Sequence, residues 1–344
     1  MRKAGKSPTM KDVAREAGVA LGTVSKVFNG IPVGKSYRQK VEDAAARLGY
    51  SVNSYARGLR ADKTHTVALI LPGLDHTFFS ALADSVCHEL TLRGYRMVLA
   101  TTQFDTDAEA RCIQMVRQNK VDGIIGLTYA PDLAIGDDLP YVYIDRYIST
   151  SIPCVSSDNF SGGGMAAEKL LELGCKKPLF LRIGSEVIGE TDKRGAGFVA
   201  ACELRGADYT SQRFNDADGI EAIFDFLDRH IQGGRLEFDG IFCSTDRLVY
   251  YVLKHLKDRR VRVPEDVQLI GFDGTRQFFT EDYYCSTIVQ PVRQMAGTAV
   301  DILLSEDRSH VPALICLPVT YAPGGTTQEA VTTATGDMEW QVSI

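Results

Sequence analysis

The 344-residue sequence contains no window of eighteen apolar residues, which argues against a membrane span. Residues 1–8 are basic but are not followed by an apolar h-region, so no secretory signal is predicted and we expect a cytoplasmic protein. The eight cysteines form no Cys-x-x-Cys pair, which argues against a cysteine-based zinc site and indicates buried thiols in a reducing compartment. We therefore expect no metal, no cofactor and no membrane partner.

Motifs of nucleotide-dependent enzymes are also missing. No Gly-x-Gly-x-x-Gly follows the first predicted strand. The segment Gly-Ile-Pro-Val-Gly-Lys-Ser at residues 30–36 has three residues between its glycines, where a phosphate loop has four, and no strand precedes it. No nucleophile–base pair stands out, although a dispersed pair would not show in a sequence. We predict a protein that is not an enzyme.

The charge is distributed unevenly along the chain. Residues 1–60 hold twelve Lys/Arg and four Asp/Glu, a net charge of +8, whereas the remainder holds 26 basic and 40 acidic residues, a net charge of −14. A basic head on an acidic body suggests that only the head meets a polyanion. The alternative, a solvated charged tail, requires a head without apolar periodicity, and this head has one.

Three short helices are predicted in the basic head. Thr9 can cap the first, with Asp12 three residues later in a Thr-x-x-Asp variant of the capping box, and Gly18 ends it. The second is predicted over residues 21–28 and the third over about 36–48. Three helices with a tight turn between the first two are typical of a helix-turn-helix unit, whose second helix enters the major groove.

Two motifs of the head are distinctive: Thr-Met-Lys-Asp-Val-Ala-Arg-Glu-Ala-Gly-Val at residues 9–19 and Thr-Val-Ser-Lys-Val-Phe-Asn-Gly at residues 23–30. Together with Arg-Leu-Gly-Tyr at 47–50 and Asn-Ser-Tyr-Ala-Arg-Gly-Leu at 53–59, they strongly resemble the LacI/GalR (lactose-repressor) family of bacterial transcription regulators. The resemblance implies base-reading side chains on the second helix, phosphate contacts around them, and a hinge helix whose leucine wedges into the minor groove. The DNA-binding residues implied are Thr9, Leu21, Gly22, Thr23, Ser25, Lys26, Asn29, Tyr50, Asn53, Ala56 and Leu59.

The head departs from the family pattern at several positions. Lys26 stands where arginine is usual, so bidentate reading of guanine is weakened to a point-charge contact. Gly22 offers no side chain to a base, and Leu21 can offer only apolar contact. Ala20 stands where serine is common, which removes an expected helix cap.

From residue 66 the sequence pattern changes to alternating strands and helices. Apolar runs at 67–71, 97–100, 123–127 and 141–144 predict buried strands, and the series restarts after about residue 160. With the resemblance, the fold class is a small all-α helix-turn-helix head plus an α/β, periplasmic-binding-protein-like body of two doubly wound parallel-sheet subdomains. A cleft between two such halves is a usual place for a small ligand.

The resemblance extends to this body through Arg-Gly-Ala-Gly-Phe at 194–198 and Gly-Phe-Asp at 271–273. It implies that Arg194 and Asp273 bind a sugar-type effector, whose paired hydroxyls suit carboxylates and guanidinium forks. A plain interdomain ion pair between these two residues is the alternative. The candidate effector-binding residues are Phe78, Phe79, Asp145, Arg146, Phe160, Arg194, Thr245, Asp246 and Asp273.

Several of these candidates have structural alternatives. Phe79 could be core packing of its own helix. Asp246 could be a helix N-cap, and Asp145 and Asp158 could be loop or capping residues.

Domain boundaries follow from these assignments. We predict a helix-turn-helix domain over 1–51, a hinge helix and linker over 52–63, an effector-binding and dimerisation domain over 64–330, and a tail over 331–344. Within the large domain, the N-subdomain takes about 64–160 and 292–322, and the C-subdomain about 161–291 and 323–330. The tail lacks a leucine heptad, so a homodimer is expected rather than a coiled-coil tetramer.

We predict a ligand-responsive, sequence-specific DNA-binding regulator, a repressor of a sugar-utilisation operon. It would bind an inverted-repeat operator in double-stranded DNA as a homodimer and respond to a small-molecule effector, a sugar or a sugar phosphate. The alternative is a cytoplasmic or transport-type sugar-binding protein without a DNA role. The body alone would fit that alternative, and the basic helical head disfavours it.

Overall fold

The computed structural model describes residues 8–50, 63–128, 139–146, 151–185, 188–277 and 282–328. The predicted hinge residues Asn53, Ala56 and Leu59, and the predicted tail, lie outside these residues. The chain separates into two compact units, residues 1–64 and residues 65–344, which are described here one at a time as the head and the body.

The head contains three helices: α1 (Met10–Ala17), α2 (Leu21–Phe28) and α3 (Lys35–Leu48). The predicted capping box begins α1, since Thr9 N donates to Asp12 Oδ2 at 2.9 Å and Asp12 N donates to Thr9 Oγ1 at 3.4 Å. Gly18 and Gly49 end α1 and α3 in the left-handed conformation that glycine adopts without strain. The helices close on a small apolar core built around Val13, Val24 and Val41.

The body contains seven further α-helices and two short 3-10 helices (Glu190–Asp192 and Asp216–Asp218) in the described residues. The α-helices are α4 (Thr77–Leu92), α5 (Thr106–Gln118), α6 (Asn159–Glu172), α7 (Lys193–Leu204), α8 (Gly219–Arg229), α9 (Asp246–Asp258) and α10 (Val292–Leu304). Its fourteen strands are β1 (Thr66–Leu71), β2 (Arg96–Thr101), β3 (Gly123–Gly126), β4 (Tyr141–Ile144), β5 (Cys154–Ser157), β6 (Pro178–Gly184), β7 (Thr210–Asn215), β8 (Ile231–Gln232), β9 (Arg235–Leu236), β10 (Gly240–Cys243), β11 (Gln268–Asp273), β12 (Thr287–Val289), β13 (Leu314–Leu317) and β14 (Thr320–Ala322).

The strands form two six-stranded sheets and one small hairpin of β8 and β9. The first sheet has the order β13-β5-β4-β3-β1-β2 and is parallel throughout, with Leu69 of β1 opposite Leu99 of β2. The second has the order β14-β12-β11-β10-β6-β7 and is parallel except for β14. Separate apolar clusters cover the two faces of each sheet, so the predicted doubly wound fold is confirmed.

The chain passes between the two subdomains three times, after β5, after β12 and after β13. The third passage lies a few residues before the predicted end of the N-subdomain. The sequence predicts that the N-subdomain extends to about residue 322, but Thr320–Ala322 pairs antiparallel with β12 in the second sheet. The passage therefore lies just before residue 320, because β14 closes the outer edge of the second sheet.

Candidate functional site

The head presents one face of α2 to solvent. Val24 and Val27 are buried against the other helices, whereas Leu21, Gly22 and Lys26 are exposed. Leu21 is 43% exposed and is therefore accessible to a partner surface. The three predicted base-reading positions therefore share the accessible side of this helix.

The predicted phosphate-contact residues have more varied surroundings. Asn29 is exposed and donates from Nδ2 to Ser25 Oγ at 3.2 Å, and Thr23 is half-buried. The Thr9 hydroxyl takes part in the capping box and donates to Asp12 Oδ2 at 2.7 Å. Tyr50 packs on Phe28 with ring centroids 5.4 Å apart, and burial raises the pKa of its phenol.

The body encloses a cavity of about 630 Å³ between its two subdomains. It lies beside the carboxyl ends of several strands, where parallel α/β sheets bind their ligands. Residues of both subdomains line it: Asp75, His76, Phe78, Phe79, Phe104, Leu127, Asp145, Arg146, Arg182, Ile183, Gly184, Ser185, Thr191, Arg194, Asp216, Ile220, Ser244, Thr245, Arg247, Leu248, Tyr251, Asp273 and Gln290.

Arg194 is held rigidly on the wall of this cavity. Its side chain is 3% exposed, and its guanidinium carbon lies 3.6 Å from the centre of the Phe272 ring. Nε donates to Asn159 Oδ1 at 2.7 Å, and Nη1 donates to the Ser244 carbonyl at 2.6 Å. These contacts fix the guanidinium group in one orientation before any ligand arrives.

Asp273 lines the same cavity, and one of its carboxylate oxygens has no hydrogen-bond donor among the described residues. Oδ1 accepts a hydrogen bond from Gln290 Nε2 at 2.8 Å, whereas Oδ2 is buried and has no hydrogen-bond donor in the described part of the chain. Burial raises the pKa of this carboxyl, and the nearby charges of His76 and Arg194 oppose that rise. Asp273 also holds a φ of 130°, a conformation that non-glycine residues rarely adopt and that often marks a functional site.

The geometry excludes an interdomain ion pair between Arg194 and Asp273. Both residues belong to the second subdomain, and Arg194 Nη1 lies 3.9 Å from Asp273 Oδ1. The two side chains form a salt bridge within one subdomain, on the cavity wall, where one ligand could contact both.

Asp145, at the end of β4, lines the cavity with a φ of 53°. Its Oδ1 accepts hydrogen bonds from Ser156 Oγ at 2.7 Å and from Ser157 N at 3.3 Å. Arg146 and Thr245 also line the cavity, and Thr245 caps α9 by accepting from Leu248 N at 3.1 Å.

Two predicted effector ligands, Asp246 and Phe160, lie outside the lining of this cavity. Asp246 does not line the cavity, and it is not the helix cap either, since Thr245 has that role. Its carboxylate turns away and accepts from Thr275 N and Thr287 Oγ1, each at 2.7 Å. Phe160 is 48% exposed in the first turn of α6 and is absent from the cavity wall. The neighbouring Asp158 caps α6, as its alternative interpretation proposed.

The aromatic candidates on α4 combine two roles. Phe78 and Phe79 are both buried in the core of the first subdomain and both reach the cavity wall. They contribute apolar surface on which a sugar ring could stack.

Sequence reasoning missed several cavity residues, among them His76, Arg182, Tyr251 and Gln290. Arg182 could have been identified from the sequence, because it interrupts the apolar strand β6 and a charge inside a buried strand is rare. His76 and Gln290 lie in connecting segments and depend on the tertiary fold for their position.

Three consecutive residues of the first subdomain contact the second subdomain across the cavity mouth. Asp75 Oδ2 accepts from Arg247 Nη1 at 2.9 Å, and His76 Nε2 lies 3.7 Å from Asp273 Oδ2. The hydroxyls of Thr77 and Thr275 share a hydrogen bond of 2.9 Å. We call residues 75–77 the bridging segment; its contacts join the two halves on one side of the cavity.

None of the helices in the described ranges is both long enough and apolar enough to cross a membrane.

Comparison with known proteins covers both units. A family model described as bacterial regulatory proteins of the lacI family matches residues 9–53, and one described as periplasmic binding proteins and sugar-binding domain of the LacI family matches residues 64–314. A sucrose operon repressor of Streptococcus mutans is 32% identical over 92% of this chain and 98% of its own length. A ribose operon repressor of Bacillus subtilis is 31% identical over 93% of this chain and 99% of its own length.

A solved structure of the Lac repressor dimer bound to operator and the anti-inducer ONPF shares the fold, with a TM-score of 0.76. It is 21% identical and covers 94% of this chain and 99% of its own. Members of this family are regulators and not enzymes. The helix-turn-helix head, the two-subdomain body and the matches over both units establish that the chain belongs to the LacI family of bacterial regulatory proteins.

Proposed function

We propose that this protein is a repressor that binds an inverted-repeat operator as a homodimer and releases or tightens it when a sugar-type effector enters the cavity. The observation that carries the effector part is that Asp273 and Arg194 lie together on the cavity wall, where the buried Asp273 Oδ2 lacks a hydrogen-bond donor among the described residues. A buried acceptor without a donor is costly, and a ligand hydroxyl would supply the missing hydrogen bond.

The DNA part of the proposal rests on the exposed side of α2, with Leu21, Gly22 and Lys26 entering the major groove. Two-fold symmetry of a homodimer would place two such helices on two half-sites, which is why an inverted repeat is expected. The sucrose and ribose operon repressors among the relatives support a sugar-utilisation operon as the target and a sugar or sugar phosphate as the effector.

The coupling between the two sites would run through the subdomain angle. An effector that contacts Asp145 in one half and Arg194 and Asp273 in the other favours one arrangement of the halves. A coupling of about 1–3 kcal/mol would change operator affinity by about 5- to 150-fold.

The test begins with an operator selected from a random inverted-repeat DNA library. Fluorescence anisotropy then measures operator affinity with and without each member of a sugar and sugar-phosphate panel. One compound should change the affinity of the parent protein by about 5- to 150-fold. The Asp273→Asn variant should bind the operator normally and lose the response, because its amide cannot reproduce two carboxylate acceptors.

A cooperative unfolding transition like that of the parent shows that the body of Asp273→Asn is folded, and the effector-induced rise in melting temperature should disappear together with the response. An Asp273→Asn variant with the same effector response as the parent would remove this residue from the binding site. A protein that selects no operator at all would contradict the DNA-binding role itself.

A further inference from the structure

Gln290 lies where the chain passes from the second subdomain back to the first. It follows β12, precedes α10, lines the cavity and is 4% exposed. Its side-chain amide makes two hydrogen bonds in opposite directions. Nε2 donates to Asp273 Oδ1 at 2.8 Å in the second subdomain, and Oε1 accepts from Ser157 Oγ at 2.7 Å in the first. One buried side chain therefore connects a carboxylate on the cavity wall to the carboxyl end of β5.

The chemistry of the two partners determines how this amide is oriented. An ionised carboxylate can only accept hydrogen bonds, so the NH2 group of Gln290 must face Asp273. The carbonyl oxygen then faces the hydroxyl of Ser157, which is 1% exposed and donates to it. A hydrocarbon side chain at this position would make neither bond, and an ionised carboxylate would repel Asp273. The position therefore requires a neutral side chain that is both a donor and an acceptor.

A second amide has a similar arrangement at the first passage between the subdomains. Asn159 begins α6 just after β5 and is 2% exposed. Its Oδ1 accepts from Arg194 Nε at 2.7 Å, and its Nδ2 donates to the Ser157 carbonyl at 3.0 Å and to Ser156 Oγ at 3.1 Å. Asp273 and Arg194 are therefore each connected, through one amide side chain, to the end of the same strand of the first subdomain.

These contacts make the position of Asp273 depend on a residue outside the cavity. Ser157 does not line the cavity, and its hydroxyl is linked to the cavity wall through Gln290. A buried hydroxyl that loses its acceptor cannot replace it with water, so breaking this link is unfavourable. A carboxylate that shifts to meet a ligand must therefore carry Gln290 with it or break a buried hydrogen bond.

We propose that Gln290 is a positioning residue, which holds Asp273 for the effector and couples the occupation of Asp273 to the first subdomain through Ser157. This inference rests on the proposed function and assigns a route for its regulation. An effector that contacts Asp273 would favour the arrangement of the subdomains in which the hydrogen-bonded chain from Asp273 through Gln290 to Ser157 is intact. Loss of the Ser157 hydroxyl should then weaken a ligand that it never contacts.

The first test measures effector affinity in variants of the full chain. The probes are D-glucose, D-fructose, D-ribose, sucrose and glucose 6-phosphate, and the one that raises the melting temperature of the parent most is titrated into each variant by calorimetry. Ser157→Ala should weaken its binding by about 2- to 10-fold, the value of one hydrogen bond. Gln290→Met should weaken it at least as much. The double variant should bind no more weakly than Gln290→Met alone, because both changes break one chain.

Ser286→Ala is the matched control for the loss of a buried hydroxyl. The Ser286 hydroxyl is buried in the second subdomain, shares a hydrogen bond of 2.7 Å with Thr327 Oγ1 and does not line the cavity. Its removal should leave the affinity for the probe unchanged. Melting curves of the ligand-free variants show that each one is folded.

The second test uses the two-sided hydrogen bonding of the amide. In Gln290→Glu, a protonated carboxyl can donate to Asp273 and accept from Ser157, whereas an ionised one repels Asp273. Relative to the parent, this variant should bind the probe within about twofold at pH 5.5 and about 10-fold or more weakly at pH 8, since a tenfold effect corresponds to one pKa unit. Gln290→Met can make neither bond and should bind weakly at both pH values. A residue that only fills space would show no such rescue at low pH.

Each variant is compared with the parent at the same pH, because the parent has other titratable groups near Asp273. They are His76, Asp145, Arg194 and Asp246. Their contributions are common to parent and variant and cancel in the ratio of affinities.

Three results would overturn the inference: equal binding by Ser157→Ala and the parent, additive losses in the double variant, or a Gln290→Glu variant whose affinity relative to the parent does not change with pH. If the probe still alters operator affinity in these cases, the proposed regulator stands without this coupling. A parent protein that no sugar stabilises would contradict the effector part of the proposed function, and this inference with it.

Discussion

Two buried aspartates of the second subdomain, Asp246 and Asp273, lie close together but face different surroundings. Asp273 lines the cavity, and its buried Oδ2 has no hydrogen-bond donor among the described residues. Asp246 is enclosed by the protein, with hydrogen bonds from Thr275 N, Thr287 Oγ1 and Cys285 Sγ. Asp273 can therefore contact a ligand in the cavity. Asp246 has a structural role, and burial of its negative charge is unfavourable for the folded state.

The stability of the body should depend on the ionisation of Asp246. Burial, and to a smaller extent the charge of Asp273, raises the pKa of Asp246 from 3.8 to about 7. The folded state thus keeps a proton that the unfolded state releases, and stability falls as the pH rises from about 4 towards 7. Asp246→Asn should therefore stabilise the body relative to the parent at pH 8, by more than about 1.4 kcal/mol, the value of one pKa unit, and much less at pH 5.

Thermal and urea unfolding of both proteins at pH 5 and pH 8 measures this difference. Asparagine can accept from Thr275 N and donate to the Thr287 hydroxyl, so the packing is conserved. A difference between variant and parent that stays constant across this pH range would mean that Asp246 does not titrate there.

The sequence predicts the regular elements of this protein better than its polar strands. The helix α2 and the strand β4 have the predicted bounds, because apolar periodicity and flanking turns determine them locally. The strands β5 and β7 were missed. In β5, two buried serines stand where apolar residues would be expected, and Ser156 donates a hydrogen bond to Asp145. The strand β7 lies at the edge of its sheet and is half-exposed. Neither circumstance is visible in a local pattern.

The same limit applies to the cavity. Motifs predict that Arg194 and Asp273 lie near the cavity. Asp246 and Phe160 are in the first turns of their helices, and their positions outside the cavity lining depend on the tertiary fold. The partners of Arg182 could not be predicted either, because Thr191 and Asp192 lie in a later turn that the fold brings beside it.

The recognition helix α2 begins without a side-chain cap, since Ala20 occupies the capping position with extended backbone angles. Ala20→Ser should supply a hydroxyl acceptor for the first-turn amides and stabilise the helix by about 1 kcal/mol. Hydrogen exchange of the peptide covering residues 21–28 should slow by about fivefold, if α2 exchanges through local opening.

Ala46→Ser provides the control, because it makes the same chemical change at an exposed interior position of α3. A serine there gains no cap and should not slow exchange. Equal exchange rates in the Ala20→Ser variant and the parent would show that the new hydroxyl does not cap α2.

At the scale of the whole body, the bridging segment connects the two subdomains. Thr77→Val removes the hydrogen bond to Thr275 without altering a cavity-lining side chain. The arrangement of the subdomains that this hydrogen bond joins should become less favourable by the value of one hydrogen bond, and the affinity for an effector that binds this arrangement should weaken by about 2- to 10-fold. Calorimetric titration with a compound that stabilises the parent measures this change.

Thr91→Val is a matched control on the same helix, since the Thr91 hydroxyl donates to the Cys87 carbonyl and does not cross the cavity. It should not affect effector binding. Combining Thr77→Val with Thr275→Val should cost no more than either change alone. Additive losses would show that the two hydroxyls act separately.

Because the chain passes between the two sheets three times, the first sheet is completed only late in translation. The first sheet begins at residue 66, but its edge strand β13 ends at residue 317, and α10 covers part of its core from residues 292–304. At about 5–20 residues per second, a ribosome needs roughly 10–50 s to add the residues between β1 and the end of β13. The head closes its core within residues 13–45 and can fold as soon as it emerges. During translation, the DNA-binding unit is therefore complete well before a cavity exists to sense the effector.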